Sequence, residues 1–298
     1  MRTIYCAICK TNEHTEVLFN ETVDFNKIDA DIFSARRIPD RIHYRLLHCA
    51  QCGLIFSSPI LSEKKINKLY RASTVTYDQE VMSLKETYGN YLLQAMKYTK
   101  LNPHILEIGA GNGFFLEKAK DLGFSHVSGI EPGKQSVAMA RPDIKKHLIV
   151  DFFPSLKVKP NSQDIICTFQ TLDHSTDPNA FLTSCHKALK KDGLVLCILH
   201  DTQGLSVKLL NENSPIFDIE HIFLFNKSNL KQIFLQNGFT PIEVMNVKNT
   251  FPLRYWLRML PFPRSIRPIL NRALKILGLD ALPITLFAGN IGIIARKQ

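Results

Sequence analysis

Ile105-Leu106-Glu107-Ile108-Gly109-Ala110-Gly111-Asn112-Gly113-Phe114-Phe115-Leu116 is an apolar run that breaks into alternating glycines and resumes with a different period. The run from His104 to Ile108 is short, rich in Ile and Leu, and stopped by glycine, which predicts a buried strand of a parallel sheet. From Phe114 the apolar positions Phe114, Phe115, Ala119 and Leu122 recur at helical spacing, with Gly123 as the stop. Glycines at 109, 111 and 113 let the backbone take positive φ and let a ligand approach the main chain without meeting a Cβ. The helix opening behind them offers unpaired N–H groups. Strand, glycine turn and helix together predict a loop that holds a nucleotide-type cofactor.

Spacing and charge separate two kinds of nucleotide site. A dinucleotide fold asks for G-x-G-x-x-G, with the pyrophosphate at the helix N-terminus and the third glycine packing helix on strand. Here the pattern is G-x-G-x-G, and Glu107 stands two residues before the first glycine. A carboxylate there repels a pyrophosphate and can receive an ammonium group. His126-Val127-Ser128-Gly129-Ile130-Glu131-Pro132-Gly133 then reads as a second strand, ending in an acid placed for both hydroxyls of a ribose. NAD sites also carry such an acid. Glu131 alone therefore leaves an NAD-binding oxidoreductase open, and glycine turns also occur in α/β domains without any ligand.

The E-x-G-x-G-x-G of residues 107–113 and the G-I-E-P-G of residues 129–133 resemble the cofactor motifs of class I S-adenosylmethionine-dependent methyltransferases, whose cofactor has a cationic amino-acid end and no phosphate. The resemblance implies an α/β fold with a doubly wound, mostly parallel, Rossmann-like sheet. It also implies that Glu107, Gly109, Ala110, Gly111 and Gly113 face the amino-acid side of S-adenosyl-L-methionine, with Glu131 and Pro132 at the ribose. A helix over Gln135 to Arg141 and a strand over His147 to Val150 should follow. Asp151 and Phe152, at that strand's end, are candidates for the adenine amino group and ring; a surface turn is the plain alternative.

Asp164 to Phe169 reads as a fourth strand that delivers Gln170-Thr171-Leu172-Asp173-His174 to the cofactor edge, where such folds place their functional groups. The Asn/Asp-Pro-Pro-Tyr/Phe and Pro-Cys motifs of base-modifying methyltransferases do not occur here. Thr171-Leu172-Asp173-His174 followed by Asp177-Pro178 instead resembles the V-L-E-H…D-P pattern of small-molecule methyltransferases, with Asp in place of Glu. A helix from Ala180 to Lys190, a turn at Lys191-Asp192-Gly193 and a strand from Leu194 to Leu199 complete that match. His200 closes the fifth strand, and Asp218-Ile219-Glu220-His221 leads into a helix from Ser228 to Asn237. His221, His200 and His174, in that order, are the candidate bases on the ligand face, although any one histidine is more often structural.

Cys6-x-x-Cys9 and Cys49-x-x-Cys52 have the two-knuckle form of a structural tetrathiolate zinc site, with room between them for a β-hairpin insert across Val17 to Arg45. Two disulfides are the alternative, disfavoured in a reducing compartment. Cys167, Cys185 and Cys197 lie in apolar surroundings and read as core packing. A cysteine unit in front of these motifs resembles bacterial methyltransferases that pair a four-cysteine zinc unit with a class I domain, a group that includes sugar C-methyltransferases. That resemblance implies a small-molecule acceptor, a nucleotide-linked or polysaccharide-precursor sugar among them. An RNA methyltransferase using the zinc unit as a nucleic-acid knuckle is the alternative.

The 298 residues carry a net charge of +10, and its placement matters more than its size. Residues 241–298 hold 9 Lys and Arg against 2 acids, whereas residues 101–240 balance at 14 and 14. The catalytic region thus lacks the basic excess of a nucleic-acid groove. No apolar leader opens the chain and no run is long enough to span a membrane, so a cytoplasmic protein is expected. Helices are expected from Ser62, with Ile66, Leu69 and Tyr70 on one face, and through Met82, Tyr88 and Met96. Tyr70, Tyr77 and Tyr88 are candidates to roof the cofactor, with core packing as the plainer reading. Phe251 to Leu260 and Ile266 to Leu277 interleave Arg and Lys with large apolar residues, broken by Pro261, Pro263 and Pro268. The resulting division is a zinc unit over 1–60, a methyltransferase domain over 61–250, a basic helical insertion or lid over 251–285, and a last strand over 286–298. The insertion should be a packed lid with an anion-facing side, meeting a nucleotide sugar, or else a contact with the inner membrane surface.

Overall fold

The buried run at 105–108 is the fifth strand in the row of a seven-stranded sheet, flanked by parallel neighbours on both sides. The computed structural model describes residues 1–29, 32, 41–72, 81–260, 263 and 265–298. Tyr77, Pro261 and the middle of the expected hairpin insert lie outside the described residues.

In chain order the strands are β1 (Thr15–Phe19), β2 (Leu46–Cys49), β3 (Ile55–Ser57), β4 (Ile105–Ile108), β5 (Val127–Glu131), β6 (Leu148–Val150), β7 (Gln163–Phe169), β8 (Leu189–His200), β9 (Phe223–Leu224), β10 (Phe239–Asn246), β11 (Asn249–Pro252), β12 (Pro283–Leu286) and β13 (Asn290–Lys297). The α-helices are α1 (Glu63–Ala72), α2 (Val81–Ala95), α3 (Phe114–Asp121), α4 (Lys134–Ala138), α5 (Pro142–Lys145), α6 (Pro178–Ala188), α7 (Leu205–Leu210), α8 (Lys227–Gln236), α9 (Leu253–Met259) and α10 (Ile266–Ile276).

The main sheet runs β10-β13-β8-β7-β4-β5-β6, with β13 antiparallel to both its neighbours and the remaining ladders parallel. This is the expected mostly parallel α/β fold. Strand order moves outward from β4 through β5 to β6, then jumps back to β7 on the other side of β4. That reversal opens a crevice outside the carboxyl ends of β4 and β7, where open α/β sheets bind ligands. Side chains alternate across the sheet. Leu106 and Ile108 accordingly pack with α6, α8 and the cysteine unit, while Ile105 packs with α2 and α3 on the other face.

Three local departures from expectation have simple causes. The helix expected over Gln135 to Arg141 is cut into α4 and α5, because the residue before Pro142 is pushed out of helical conformation: Arg141 sits at ψ 138°. The turn at Lys191-Asp192-Gly193 is absorbed into the long strand β8. There the register against β7 slips between Leu189 and Leu194, and Asp192 takes φ 61°. Met82, expected to pack inward, is 65% exposed on α2.

The cysteine segment does not stand apart from the rest. Its sheet runs β1-β2-β3-β9, and the fourth strand is supplied by Phe223–Leu224, far along the chain. The segment expected as an insertion is stitched by an antiparallel β11·β12 ladder, Asn249 opposite Leu286 to Pro252 opposite Pro283, with α9 and α10 between them.

Candidate functional site

The turn after β4 is held by its own backbone. The amides of Gly109 and Ala110 donate to the Ile130 carbonyl at 2.9 and 3.0 Å, and Gly113 donates to Ala110 at 2.8 Å. Gly109, Gly111 and Gly113 all take positive φ, of 78°, 54° and 78°. A Cβ on Gly109 would stand 2.3 Å from the Thr171 hydroxyl oxygen, so the ends of β4 and β7 meet there only because residue 109 has no side chain.

Two acids face the crevice from adjacent strand ends. Glu131, at the end of β5, accepts from the Gly111 amide at 2.9 Å with one carboxyl oxygen and from the Gly133 amide at 2.7 Å with the other. Burial raises the Glu131 carboxyl above its ordinary value, and those two amides pull the other way. Glu107 is 2% exposed, and its Oε2 is a buried oxygen without a hydrogen-bond partner. Burial first, and the neighbouring Glu131 second, push its carboxyl well above the usual range. A buried carboxylate that lacks a donor, beside a second acid, is a site for a cation. The ammonium end of S-adenosylmethionine fits that requirement, whereas a pyrophosphate does not.

Both acids line a cavity of about 580 Å³, together with Gly109, Gly111, Pro132 and Gln170. Phe152 also lines it, with the Arg71 guanidinium 5.3 Å from the centre of its ring. Three expected cofactor residues, Ala110, Gly113 and Asp151, are not among those that line it. Ala110 is buried, and a Cβ on Gly129 would meet its methyl at 2.7 Å; Gly113 begins α3 against Ile144. Asp151 spends its carboxylate on its own loop, accepting from Ser155 Oγ at 2.8 Å and the Phe152 amide at 2.9 Å, and the Ser155 bond is the first cause that holds it below the usual carboxylate range.

The three candidate histidines converge at the other end of the same cavity. His174 comes from the turn after β7, His200 is the last residue of β8, and His221 precedes β9. The His200 and His221 ring centres are 4.5 Å apart, and those of His174 and His221 5.0 Å. His221 Nδ1 donates to the Ile216 carbonyl at 2.7 Å, which makes Nε2 its lone-pair nitrogen. His200 Nδ1 lies 3.1 Å from Asp173 Oδ2, and His174 Nδ1 lies 3.1 Å from the Tyr70 hydroxyl. Burial pushes His174 down to about 3, with the other two histidines adding to it and Asp173 opposing, so its imidazole is neutral at physiological pH.

Sequence reasoning had not counted Asp173 and Glu220 among the site residues, although each is the chain neighbour of a candidate histidine; that adjacency was the available signal. Tyr255 and Met259 of α9 also line the cavity, and nothing in their own spacing indicated it.

At the N-terminus, the four cysteines of the two knuckles come together. Their sulfurs lie within 4.8 Å of one another, with Cys6 to Cys52 at 3.4 Å and Cys9 to Cys49 at 3.8 Å. Tetrahedral sulfurs bound at about 2.3 Å from zinc stand about 3.8 Å apart, so this donor set fits the metal.

Residues 82–244, more than half of the chain, match a family model described as "Methyltransferase domain". The ubiquinone biosynthesis O-methyltransferase of Neisseria meningitidis serogroup A is 29% identical over 98 residues, covering 30% of this chain and 41% of that protein. Its namesake in Dinoroseobacter shibae is 28% identical over 138 residues, covering 45% and 54%. The chain thus spans about half or less of the length of these curated relatives. A methyltransferase-fold protein of Bacillus halodurans C-125 superposes with a TM-score of 0.51 at 17% identity, over 70% of this chain and 99% of that one. Geranyl diphosphate C-methyltransferase of Streptomyces coelicolor A3(2), solved with S-adenosyl-L-homocysteine, gives 0.51 at 12% identity, over 76% and 86%. At these identities the solved structures show the shared fold. The chain belongs to the methyltransferase-domain family, and its central domain is that of an S-adenosylmethionine-dependent methyltransferase.

Proposed function

We propose that the protein methylates a small-molecule acceptor bound at the histidine end of the cavity, and that a nucleotide-linked or polysaccharide-precursor sugar is the acceptor class. One observation carries this reading: the acidic cofactor cradle of Glu107 and Glu131 and the cluster of His174, His200 and His221 line one continuous cavity. S-adenosylmethionine supplies an electrophilic methyl group when bound. This chain's residues contribute proximity and orientation, which suffice for most of the acceleration of such a transfer. Where the acceptor must lose a proton, His221 is the first candidate base, then His200, then His174. The depressed His174 supports that order, since a group held neutral down to about 3 is a poor proton acceptor at neutral pH.

The four cysteines hold a structural zinc in this reading. Tetrathiolate closure leaves no open coordination position, so the ion supports the fold and does no chemistry. Helix α9 serves as a lid, since its Tyr255 and Met259 reach the cavity. Helix α10 faces outward, with Ile269 69% and Ile276 76% exposed beside Arg272 and Lys275, a composition suited to an anionic membrane surface. Among the described residues no helix is long and apolar enough to cross a membrane.

Isothermal titration with S-adenosylhomocysteine tests the cofactor half: binding should be lost in Glu131→Ala, and unchanged binding would remove the assignment. Screening nucleotide sugars with labelled cofactor tests the acceptor half. Saturable NADH binding would favour the oxidoreductase alternative.

A further inference from the structure

We propose that Asp173, His200 and His221 form a second metal site, distinct from the cysteine cluster, which holds a divalent first-row cation at the acceptor end of the cavity. The three side chains each bring one donor atom into a group whose members lie within 4.8 Å of one another. Donors on one ion at about 2.0–2.2 Å stand no more than about 4.4 Å apart, so small side-chain rotations close the set. Two imidazoles and one carboxylate suit zinc, iron(II) or manganese, and leave coordination positions open for substrate oxygen.

Three further observations point to a cation. Asp173 is 1% exposed, and its Oδ1 is a buried oxygen without a hydrogen-bond partner, 3.9 Å from His174 Nε2, which also lacks one. A buried carboxylate in that state costs free energy unless a positive charge meets it. The outer nitrogen of His221 is fixed on the Ile216 carbonyl at 2.7 Å. Metal-bound histidines are held in this way, with the second ring nitrogen donating to a carbonyl so that the first presents its lone pair. Finally, among the described residues the cavity is lined by Glu63, Glu107, Glu131, Asp218 and Glu220 and by no Lys or Arg. The cofactor's ammonium answers Glu107 at one end; at the other, the unpartnered Oδ1 of Asp173 is the buried oxygen that a cation would meet.

The ion also reconciles this acidic wall with the acceptor proposed above. A divalent cation on Asp173, His200 and His221 attracts an anionic sugar nucleotide and binds a hydroxyl or carbonyl oxygen beside the methylated position. With the ion bound, His221 and His200 give their lone pairs to it and are not bases, and the ion instead eases loss of the proton from a bound hydroxyl; that role in catalysis rests on the proposed methyl transfer. Its binding does not, and can be measured without acceptor or turnover.

The test uses the full chain after dialysis against a chelator too weak to strip tetrathiolate zinc. Mn2+ is titrated in and the free ion counted by electron paramagnetic resonance, since thiolates hold manganese poorly. Zinc per chain is measured in parallel by elemental analysis. We expect about one added Mn2+ or Zn2+ per chain, with affinity lowered roughly 10- to 100-fold or more in both Asp173→Asn and His200→Gln, as loss of a ligand should cost at least what loss of an outer-shell partner does. S-adenosylhomocysteine titration of each variant reports whether its cofactor domain is folded. His200→Gln, at a position 21% exposed, decides the matter if the buried Asp173→Asn does not fold. Finding neither ion beyond the cysteine-held zinc in the unaltered protein, or undiminished binding in folded His200→Gln, overturns the site. Failure of cofactor binding in the unaltered protein would instead count against the methyltransferase reading, and leaves the metal count unaffected.

Discussion

Ser57 Oγ donates to the His221 carbonyl at 3.1 Å, joining the cysteine unit to the histidine cluster across 164 residues of sequence. The adjoining Ser57 amide donates to the Ile222 carbonyl at 2.8 Å, and Ile55 lies opposite Leu224 in the ladder. The cysteine unit is therefore a brace for β9 and for His221 just ahead of it. Tetrathiolate zinc contributes on the order of 10 kcal/mol of folding free energy in isolated zinc peptides. Cys49→Ser should accordingly unfold the N-terminal sheet and lower turnover at least 10-fold, by our rough expectation for a misplaced reacting group, while S-adenosylhomocysteine affinity stays within a few fold. Freshly purified protein with well under one zinc per chain would sink this.

Glu107 links cofactor binding to pH. Its folded carboxyl is raised above its unfolded value, so the folded state holds a proton that the unfolded state has released. The associated stability is present below the unfolded pKa and is lost as pH rises toward the raised folded value. In the absence of cofactor, Glu107→Gln should melt no lower than the unaltered protein at pH 8, yet bind S-adenosylmethionine at least 10-fold more weakly, about the 1.4 kcal/mol of one lost charge contact. Binding should also release protons, read as a dependence of titration enthalpy on buffer ionisation enthalpy. A variant that melts lower and binds normally would show that Glu107 does not face the ammonium.

Gly109 tests the meeting of β4 and β7. Ala at 109 faces both the cost of positive φ and a 2.3 Å approach to Thr171, whereas Ala at 123 meets positive φ alone, with nothing within 4 Å. Gly123→Ala should therefore cost about 1–2 kcal/mol. Gly109→Ala should cost more than that, and should weaken S-adenosylhomocysteine binding as well. Equal costs in denaturant melts would show that Thr171 moves aside freely.

Much of this was legible in the chain because it rests on local physics. The strand before Gly109, the acid at the end of β5 and the helix expected from Ser228 to Asn237, found as α8 over Lys227–Gln236, each follow from short-range spacing and backbone conformation. Convergence of three histidines also followed, since functional groups in this sheet collect at strand ends. What sequence could not supply was pairing across distance. Strand β9 has two residues, too few for any periodicity, and only the fold brings Phe223–Leu224 onto β3. Ala110 was a candidate by motif position and Asp151 by its place at a strand end, with a surface turn as the alternative; the Ala110 methyl packs on Gly129 and the Asp151 carboxylate bonds within its own loop. Asp173 went unweighed because its importance lies in its burial between histidines.

The basic tail holds two helices, α9 and α10, for which we propose separable roles. On α9, Arg254 pairs with Asp280 at 3.5 Å and the Arg258 guanidinium lies 5.4 Å from the Tyr255 ring centre, so both arginines hold the helix whose Tyr255 and Met259 reach the cavity. Reversing their charge should loosen the lid. In Arg254→Glu with Arg258→Glu we expect kcat/KM to fall roughly 10-fold, equivalent to about 1.4 kcal/mol of lost transition-state stabilisation, with no change in sedimentation on anionic vesicles. On α10, Arg272→Glu with Lys275→Glu should do the converse, abolishing vesicle binding and leaving turnover of a water-soluble acceptor intact. Each charge near such a surface is worth about 1 kcal/mol, so two reversals suffice to show the effect. Should the α9 pair abolish vesicle binding and spare turnover, α9 would be a membrane contact and the lid would be wrong.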